Sequence, residues 1–142
     1  MATLIIYASK SRAAEECAFI IEESLVDCVV CNVSRAVPDM EGIDKVIIGS
    51  GVRMGKIYKP VTNFIKKNLD VLLTKPVAMY LCNSYPDTVS KVIEKSFPIE
   101  LTNHAICIMS FGGRPPFTNT QKEVCLNTNN VDEFIKKVLS VN

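Results

Sequence analysis

The chain has 142 residues, which suits one domain with a sizeable core. Hydrophobic residues make up 48% and charged residues 22%, which excludes an intrinsically disordered chain. Sixteen basic and fifteen acidic side chains leave a net charge of +1, so bulk charge gives no reason to expect nucleic acid or an acidic membrane surface as a partner.

The first predicted element is "TLIIYAS" (Thr3–Ser9), a strand whose continuous apolar run suits burial on both faces. Residues Arg12–Leu25 read as a helix, with Ala14, Cys17, Ala18, Ile21 and Leu25 inward and Glu15, Glu16, Glu22 and Glu23 outward. "DCVVCNV" (Asp27–Val33) is the second strand, and "AVPDMEGI" is a loop broken by proline and glycine. "DKVIIGSG" (Asp44–Gly51) is the third strand and runs into the glycine-bearing turn of "GSGVRMGKIY". A helix over about Tyr58–Leu69 turns Val61, Phe64, Ile65 and Asn68/Leu69 inward. "KPVAMYLCN" (Lys75–Asn83) is the fourth strand, and "SYPDTVSKVIEKSF" is a helix with proline in its first turn, where the missing N–H costs little. "HAICIMSFGG" (His104–Gly113) is the fifth strand, opened by the sole histidine. The two prolines of "GGRPPF" (Gly112–Phe117) favour a stiff extended surface connection or the lining of a cleft. The last helix, Val131–Val141, carries Val131, Phe134, Ile135, Val138 and Leu139 at helical spacing.

Five strands with helices between them predict an open, doubly wound α/β sheet in a single domain spanning 1–142. Ligands of such sheets bind beyond the carboxyl ends of the strands, where strand order reverses. Three loops fall there: Ser9–Ala14, Ser50–Tyr58 and Asn83–Pro86.

No apolar run approaches the roughly 20 residues of a transmembrane helix, so no transmembrane segment is expected. The N-terminal "MATLIIYASK" lacks the basic region and the long apolar run of a secretory leader, so a cytoplasmic location is expected. The six cysteines, Cys17, Cys28, Cys31, Cys82, Cys107 and Cys125, sit mostly in apolar runs and are expected to be buried thiols in a reducing compartment. Cys28 and Cys31 have a metal-like spacing, but residues three apart on a strand point to opposite faces. Neither a second cysteine pair nor a nearby histidine supports zinc, so no metal site is expected. No Ser-His-Asp or Cys-His arrangement surrounds His104, and no catalytic side chain is assigned.

Three stretches, "TLIIYASK", "DKVIIGSGVRMGKIYKPVTNFIKKN" and "TQKEVCLNTNNVDEFIKKVL", resemble the flavodoxin superfamily, and within it flavodoxin-domain proteins of the menaquinone-dependent protoporphyrinogen oxidase type. The resemblance spans nearly the whole chain. It is most specific where strand, "GS.VR.G" turn and helix match together. It implies a three-layer α/β/α sandwich with a five-stranded parallel sheet of order 2-1-3-4-5, and a site for FMN. Ser9, Lys10, Ser11, Arg12, Ala13 and Ala14 would lie at the phosphate, Val52, Arg53, Met54 and Gly55 on one side of the ring, and Asn83, Ser84 and Tyr85 on the other. Arg53 would touch flavin, its phosphate or a substrate carboxylate, or else stand solvated in its loop. Tyr85 would stack on the ring or cap the sheet edge, and Met54 would pack on the flavin or fill a gap.

The chain departs from this family in two places. The usual Ser/Thr-x-Thr-Gly-x-Thr loop here reads Ser9-Lys10-Ser11-Arg12-Ala13-Ala14, which loses a glycine and a hydroxyl but gains two cations. The related oxidases carry a longer segment, tied to membrane and quinone contact, where this chain has only Phe111–Asn130. The reading is therefore an FMN-binding oxidoreductase or electron-transfer protein, related to protoporphyrinogen oxidation. Its partner would be a redox protein or a small-molecule electron acceptor, with a homodimer also compatible. The strong acidity of electron-shuttling flavodoxins is missing, so docking through a negative surface is not expected. The alternative is a binding or regulatory domain of the same fold that has lost its flavin.

Overall fold

A computed structural model describes residues 2–8, 13–36, 38–53, 55–82, 88–111 and 128–140. Its elements in chain order are β1 (Ala2–Ala8), α1 (Ala13–Glu23), β2 (Cys28–Asn32), β3 (Ile43–Arg53), β4 (Lys56–Ile57), α2 (Lys59–Leu72), β5 (Val77–Cys82), α3 (Val89–Ser96), α4 (Ile99–His104), β6 (Cys107–Ser110) and α5 (Thr128–Leu139). The sheet runs β2-β1-β3-β5-β6, with every neighbouring pair parallel. This is the expected order 2-1-3-4-5 once one adds β4, a two-residue strand antiparallel to the end of β3.

Apolar strands bury both faces because helices cover both. On β1, Leu4, Ile6 and Ala8 enter the layer of α2, α3 and α4, while Ile5 and Tyr7 enter the layer of α1 and α5. On β5, Val77, Met79 and Leu81 take the first side and Ala78, Tyr80 and Cys82 the second. This is the two-residue period of a strand, read out on two cores. Cys28 packs with the α1/α5 layer and Cys31 with the α2 layer, so these two thiols stand on opposite faces of the sheet as their spacing implies.

The helices follow their apolar stripes. In α1 the buried residues are Ala13, Ala14, Cys17, Ala18 and Ile21, and the shortness of the first four lets the helix approach the sheet closely. In α2 they are Val61, Phe64, Ile65 and Leu72, with Pro60 in the first turn. In α5, Val131, Phe134, Ile135 and Val138 are buried, and Leu139 is exposed.

The sequence reading needs correction between α3 and β6. Residues Ile99–His104 form a short helix, so His104 ends a helix and does not open the fifth strand, which begins at Cys107. Only Leu101 of this helix is buried, and Ile99 is 71% exposed, so no apolar period announces it. His104 Nε2 lies 2.6 Å from the Lys75 carbonyl oxygen, a structural contact at the amino end of β5. At the same end of the sheet Lys45 Nζ donates to the Val138 carbonyl at 2.7 Å and Lys75 Nζ to the Ile43 carbonyl at 2.6 Å. Burial pulls the Lys45 ammonium below its usual range. Among the described residues no helix is long and apolar enough to cross a membrane. The expected connection at Gly112–Phe117 lies outside the described residues.

Candidate functional site

The chain passes from β1 through α1 to β2 on one edge, then returns to β3 on the other side of β1. Strand order therefore reverses between β1 and β3, and a crevice is expected beyond their carboxyl ends. Two of the expected loops, Ser9–Ala14 and Ser50–Tyr58, open at those ends, and the third follows the end of the neighbouring β5.

β1 ends at Ala8 and α1 begins at Ala13, so Ala13 and Ala14 form the start of the helix that faces the crevice. Both are buried, with their methyl groups against the sheet. Ser9, Lys10, Ser11 and Arg12 lie outside the described residues. A helix start offers unpaired N–H groups and the positive end of the helix dipole. The same first turn carries Glu15 and Glu16, whose charges compete for that end. Glu15 is engaged from below, because the Tyr7 hydroxyl donates to its Oε2 at 3.0 Å. The Tyr7 phenol is pushed up to about 12, first by burial, then by the hydrogen bond and charge of Glu15, while the Arg35 charge and an Asn32 hydrogen bond pull partly back.

Tyr80 fixes this helix start in place. Gly49 on β3 lies opposite Tyr80 on β5, and a Cβ on Gly49 would fall 1.9 Å from the tyrosine Cζ. The ring therefore crosses β3 over a residue with no side chain, and its hydroxyl donates to the Ala14 carbonyl at 2.7 Å. Burial, then the neighbouring Cys82, Cys17 and Tyr7, push this phenol well above its ordinary range. Phe111 stacks on the ring at 5.1 Å, and Phe134 meets it edge-on at 5.9 Å.

The second loop is a hairpin. β3 continues past Gly51 into Val52 and Arg53, which pair with Ile57 and Lys56 of β4. The turn between them contains Gly55 at φ +78, a conformation that penalises a side chain even though open space surrounds it. Val52 is half-buried against the α2 layer. The Arg53 side chain and Met54 lie outside the described residues. Buried Ser50 closes the base: its hydroxyl donates to the Gly51 carbonyl at 2.7 Å and accepts the Tyr58 N–H at 3.1 Å. That N–H belongs to the N-cap residue of α2, so one hydroxyl joins hairpin to helix. The Tyr58 ring lies over Gly51, where a Cβ would meet its hydroxyl at 2.8 Å. From α3, Ser96 Oγ accepts the Ile57 N–H at 3.2 Å.

At the third position β5 ends on Cys82, immediately before Asn83, Ser84 and Tyr85, which lie outside the described residues. Among the expected site residues, then, the structure puts Ala13 and Ala14 at the helix start, and Val52, the Arg53 backbone and Gly55 in the hairpin. Ser50, Tyr58 and Tyr80, which hold these parts, were missed as contributors. Their signal was the Gly49-x-Gly51 spacing inside a strand, which marks close approach by another group. A cavity of about 260 Å³ lined in part by Val33, Pro38, Pro60, Phe64 and Lys67 contains none of the expected site residues.

The start of α1 combines small buried residues with the backbone N–H groups of a helix start, a feature that suits an anion. A hairpin and a β5 terminus stand on the far side.

A parallel doubly wound sheet of this order, with helices on both faces, defines the flavodoxin fold. The flavodoxin domain family model matches residues 4–121, and the chain belongs to that family. It is 31% identical over 88 residues to protoporphyrinogen IX dehydrogenase [quinone] of Escherichia coli K12, a match covering 58% of this chain and 49% of the relative. The matched stretch thus spans about half the length of the curated relatives it matches. Among solved structures, a flavodoxin of Fusobacterium nucleatum bound to flavin mononucleotide superposes with TM-score 0.61 at 14% identity, covering 99% of this chain and 98% of that one. The rubredoxin oxygen:oxidoreductase of Desulfovibrio gigas superposes with TM-score 0.63 at 16% identity, covering 99% of this chain but 37% of that one.

Proposed function

We propose that this chain is an FMN-binding redox domain. The observation that carries the reading is the convergence, at the carboxyl ends of β1, β3 and β5, of a helix start and a braced hairpin in a chain of the flavodoxin domain family. FMN, when bound, supplies the centre that accepts and donates electrons, and the protein supplies position and electrostatics. Ser9, Lys10, Ser11, Arg12 and the N–H groups of Ala13 and Ala14 hold the phosphate. Val52, Arg53, Met54 and Gly55 line one side of the ring, and Asn83, Ser84 and Tyr85 the other. Electrons pass to a redox protein or a small-molecule acceptor. The similarity to a protoporphyrinogen IX dehydrogenase supports porphyrinogen oxidation as the enzymatic form of this activity, to be tested with protoporphyrinogen IX and a quinone.

Titration with FMN tests the binding claim, and Lys10→Ala and Arg12→Ala test the assignment of the phosphate. Each loses a charge-assisted contact of about 1.5 kcal/mol, so each should weaken binding about tenfold. Binding unchanged in both variants would remove the phosphate from this loop. A second reading, a flavin-free binding domain, is favoured by the first turn of α1: a buried Ala14 stands where the family has a hydroxyl, and Glu15 and Glu16 follow. It predicts no saturable FMN binding in the natural protein.

A further inference from the structure

Two rungs connect β5 to α1. Tyr80 and Cys82 are two apart on β5 and therefore share a face, and Ala14 and Cys17 are three apart on α1 and share a stripe. The first rung is the Tyr80 hydroxyl on the Ala14 carbonyl. The second is Cys82 Sγ against Cys17 Sγ at 3.8 Å. Nothing in the electron-transfer reading uses this pair. Its setting differs from that of the other described cysteines: Cys28 and Cys31 on β2 and Cys107 on β6 are only partly buried, and the two on β2 face opposite sides of the sheet, whereas Cys17 is 0% and Cys82 5% exposed, and these two touch.

Both thiols also sit beside the candidate site. Cys82 immediately precedes Asn83, and Cys17 lies one turn from the start of α1. A bond between them would fix the spacing of two loops that lie on different elements of the fold.

We propose that Cys17 and Cys82 form a redox-active dithiol that closes to a disulfide on exposure to a hydroperoxide and thereby locks α1 to the end of β5. Cys82, at the strand terminus and the less buried of the two, reacts first. Its sulfur attacks the peroxide, the O–O bond breaks, an alcohol or water leaves, and a sulfenic acid forms. The Cys17 sulfur then attacks that sulfur, the S–O bond breaks, and the departing hydroxide takes the Cys17 proton as water. Two thiols lose two electrons, and one peroxide gains them. A dithiol reductant reverses the change by exchange.

The test treats the folded natural protein with hydrogen peroxide, blocks remaining thiols, and maps linked peptides by mass without reduction. The expected product has lost about 2 Da, carries a single link between Cys17 and Cys82, and returns to the starting mass with dithiothreitol. The oxidised form should also melt at a higher temperature than the reduced one. Cys82→Ser should block the link and leave the Cys17 peptide unoxidised. Because the mass readout needs no flavin, failure of FMN binding would leave this result standing. A link between other cysteines, sulfinic acid at Cys82, or no link while Cys28 or Cys107 becomes oxidised would overturn the proposal. With FMN, the oxidised and reduced forms should differ in affinity severalfold; equal affinity would remove the lock on the loops.

Discussion

The two faces of the sheet are built on different principles. The α2 face is a largely aliphatic core of Leu4, Ile6, Val46, Ile48, Val77, Met79 and Leu81 under Val61, Ile65 and Leu72, joined by Phe64 and Phe97, with the buried Ser50 hydroxyl bonded at its edge. The α1/α5 face buries a tyrosine hydroxyl, two touching thiols and a three-ring aromatic cluster, and it admits α1 only because Ala13, Ala14, Cys17 and Ala18 are small. Aliphatic cores tolerate substitutions that conserve volume, whereas a buried hydrogen bond across a glycine specifies one arrangement. The face that carries the candidate phosphate loop is therefore the more exactly determined one.

The sharpest way to break this contrast is Gly49→Ala. The new methyl would fall 1.9 Å from the Tyr80 ring, so the ring must move and its hydroxyl must leave Ala14. Overpacking and the lost buried bond together should cost about 4 kcal/mol, read from urea unfolding. A cost under about 1 kcal/mol would show that the ring is not held across β3.

Two neighbouring residues on β5 compare the faces directly. Tyr80→Phe should cost about 1–2 kcal/mol by leaving the Ala14 carbonyl without its hydroxyl. Met79→Leu, which points into the aliphatic face, should cost less than about 1 kcal/mol. Equal losses would erase the distinction.

Alkaline pH probes the polar face through Tyr7. The Tyr7 phenol is raised to about 12 in the folded chain against an ordinary value near 10, so folding favours its protonated form. Its contribution is fully present below about pH 10 and is lost as the pH rises through about 12. Tyr80, shifted in the same direction, adds to the loss. Tyr7→Phe should flatten the fall in stability above about pH 10, measured by denaturant unfolding at a series of pH values. A slope identical to that of the natural protein would contradict the assignment.

The smallest effect is expected at the hairpin tip. Gly55→Ala meets no neighbour, so only the strain of φ +78 remains, about 1 kcal/mol. A much larger loss would mean that the hairpin is held by more than its turn and its base.

Much of this architecture was legible because apolar period and strand length agree. Thr3–Ser9, Asp27–Val33 and the helices with regular apolar stripes became β1, β2, α1, α2 and α5 with small shifts at their ends. What escaped was short or set by distant contacts. β4 has two residues and exists through pairing with Val52 and Arg53. α4 buries only Leu101. The position of the site followed from topology, but its bracing did not. Neither the reach of Tyr80 to Ala14 nor the meeting of Cys17 with Cys82 is encoded in local spacing, since 66 and 65 residues separate the partners. The glycine at position 49 was visible, but the ring that requires it was not.

The most direct test of the central claim is titration of the purified protein with FMN, followed by quenching of flavin fluorescence. Saturable one-to-one binding with a dissociation constant of about a micromolar or tighter is the predicted result. Absence of binding at millimolar FMN in a folded protein would contradict it and would leave the loop from Ser9 to Ala14 as a flavodoxin feature without its flavin.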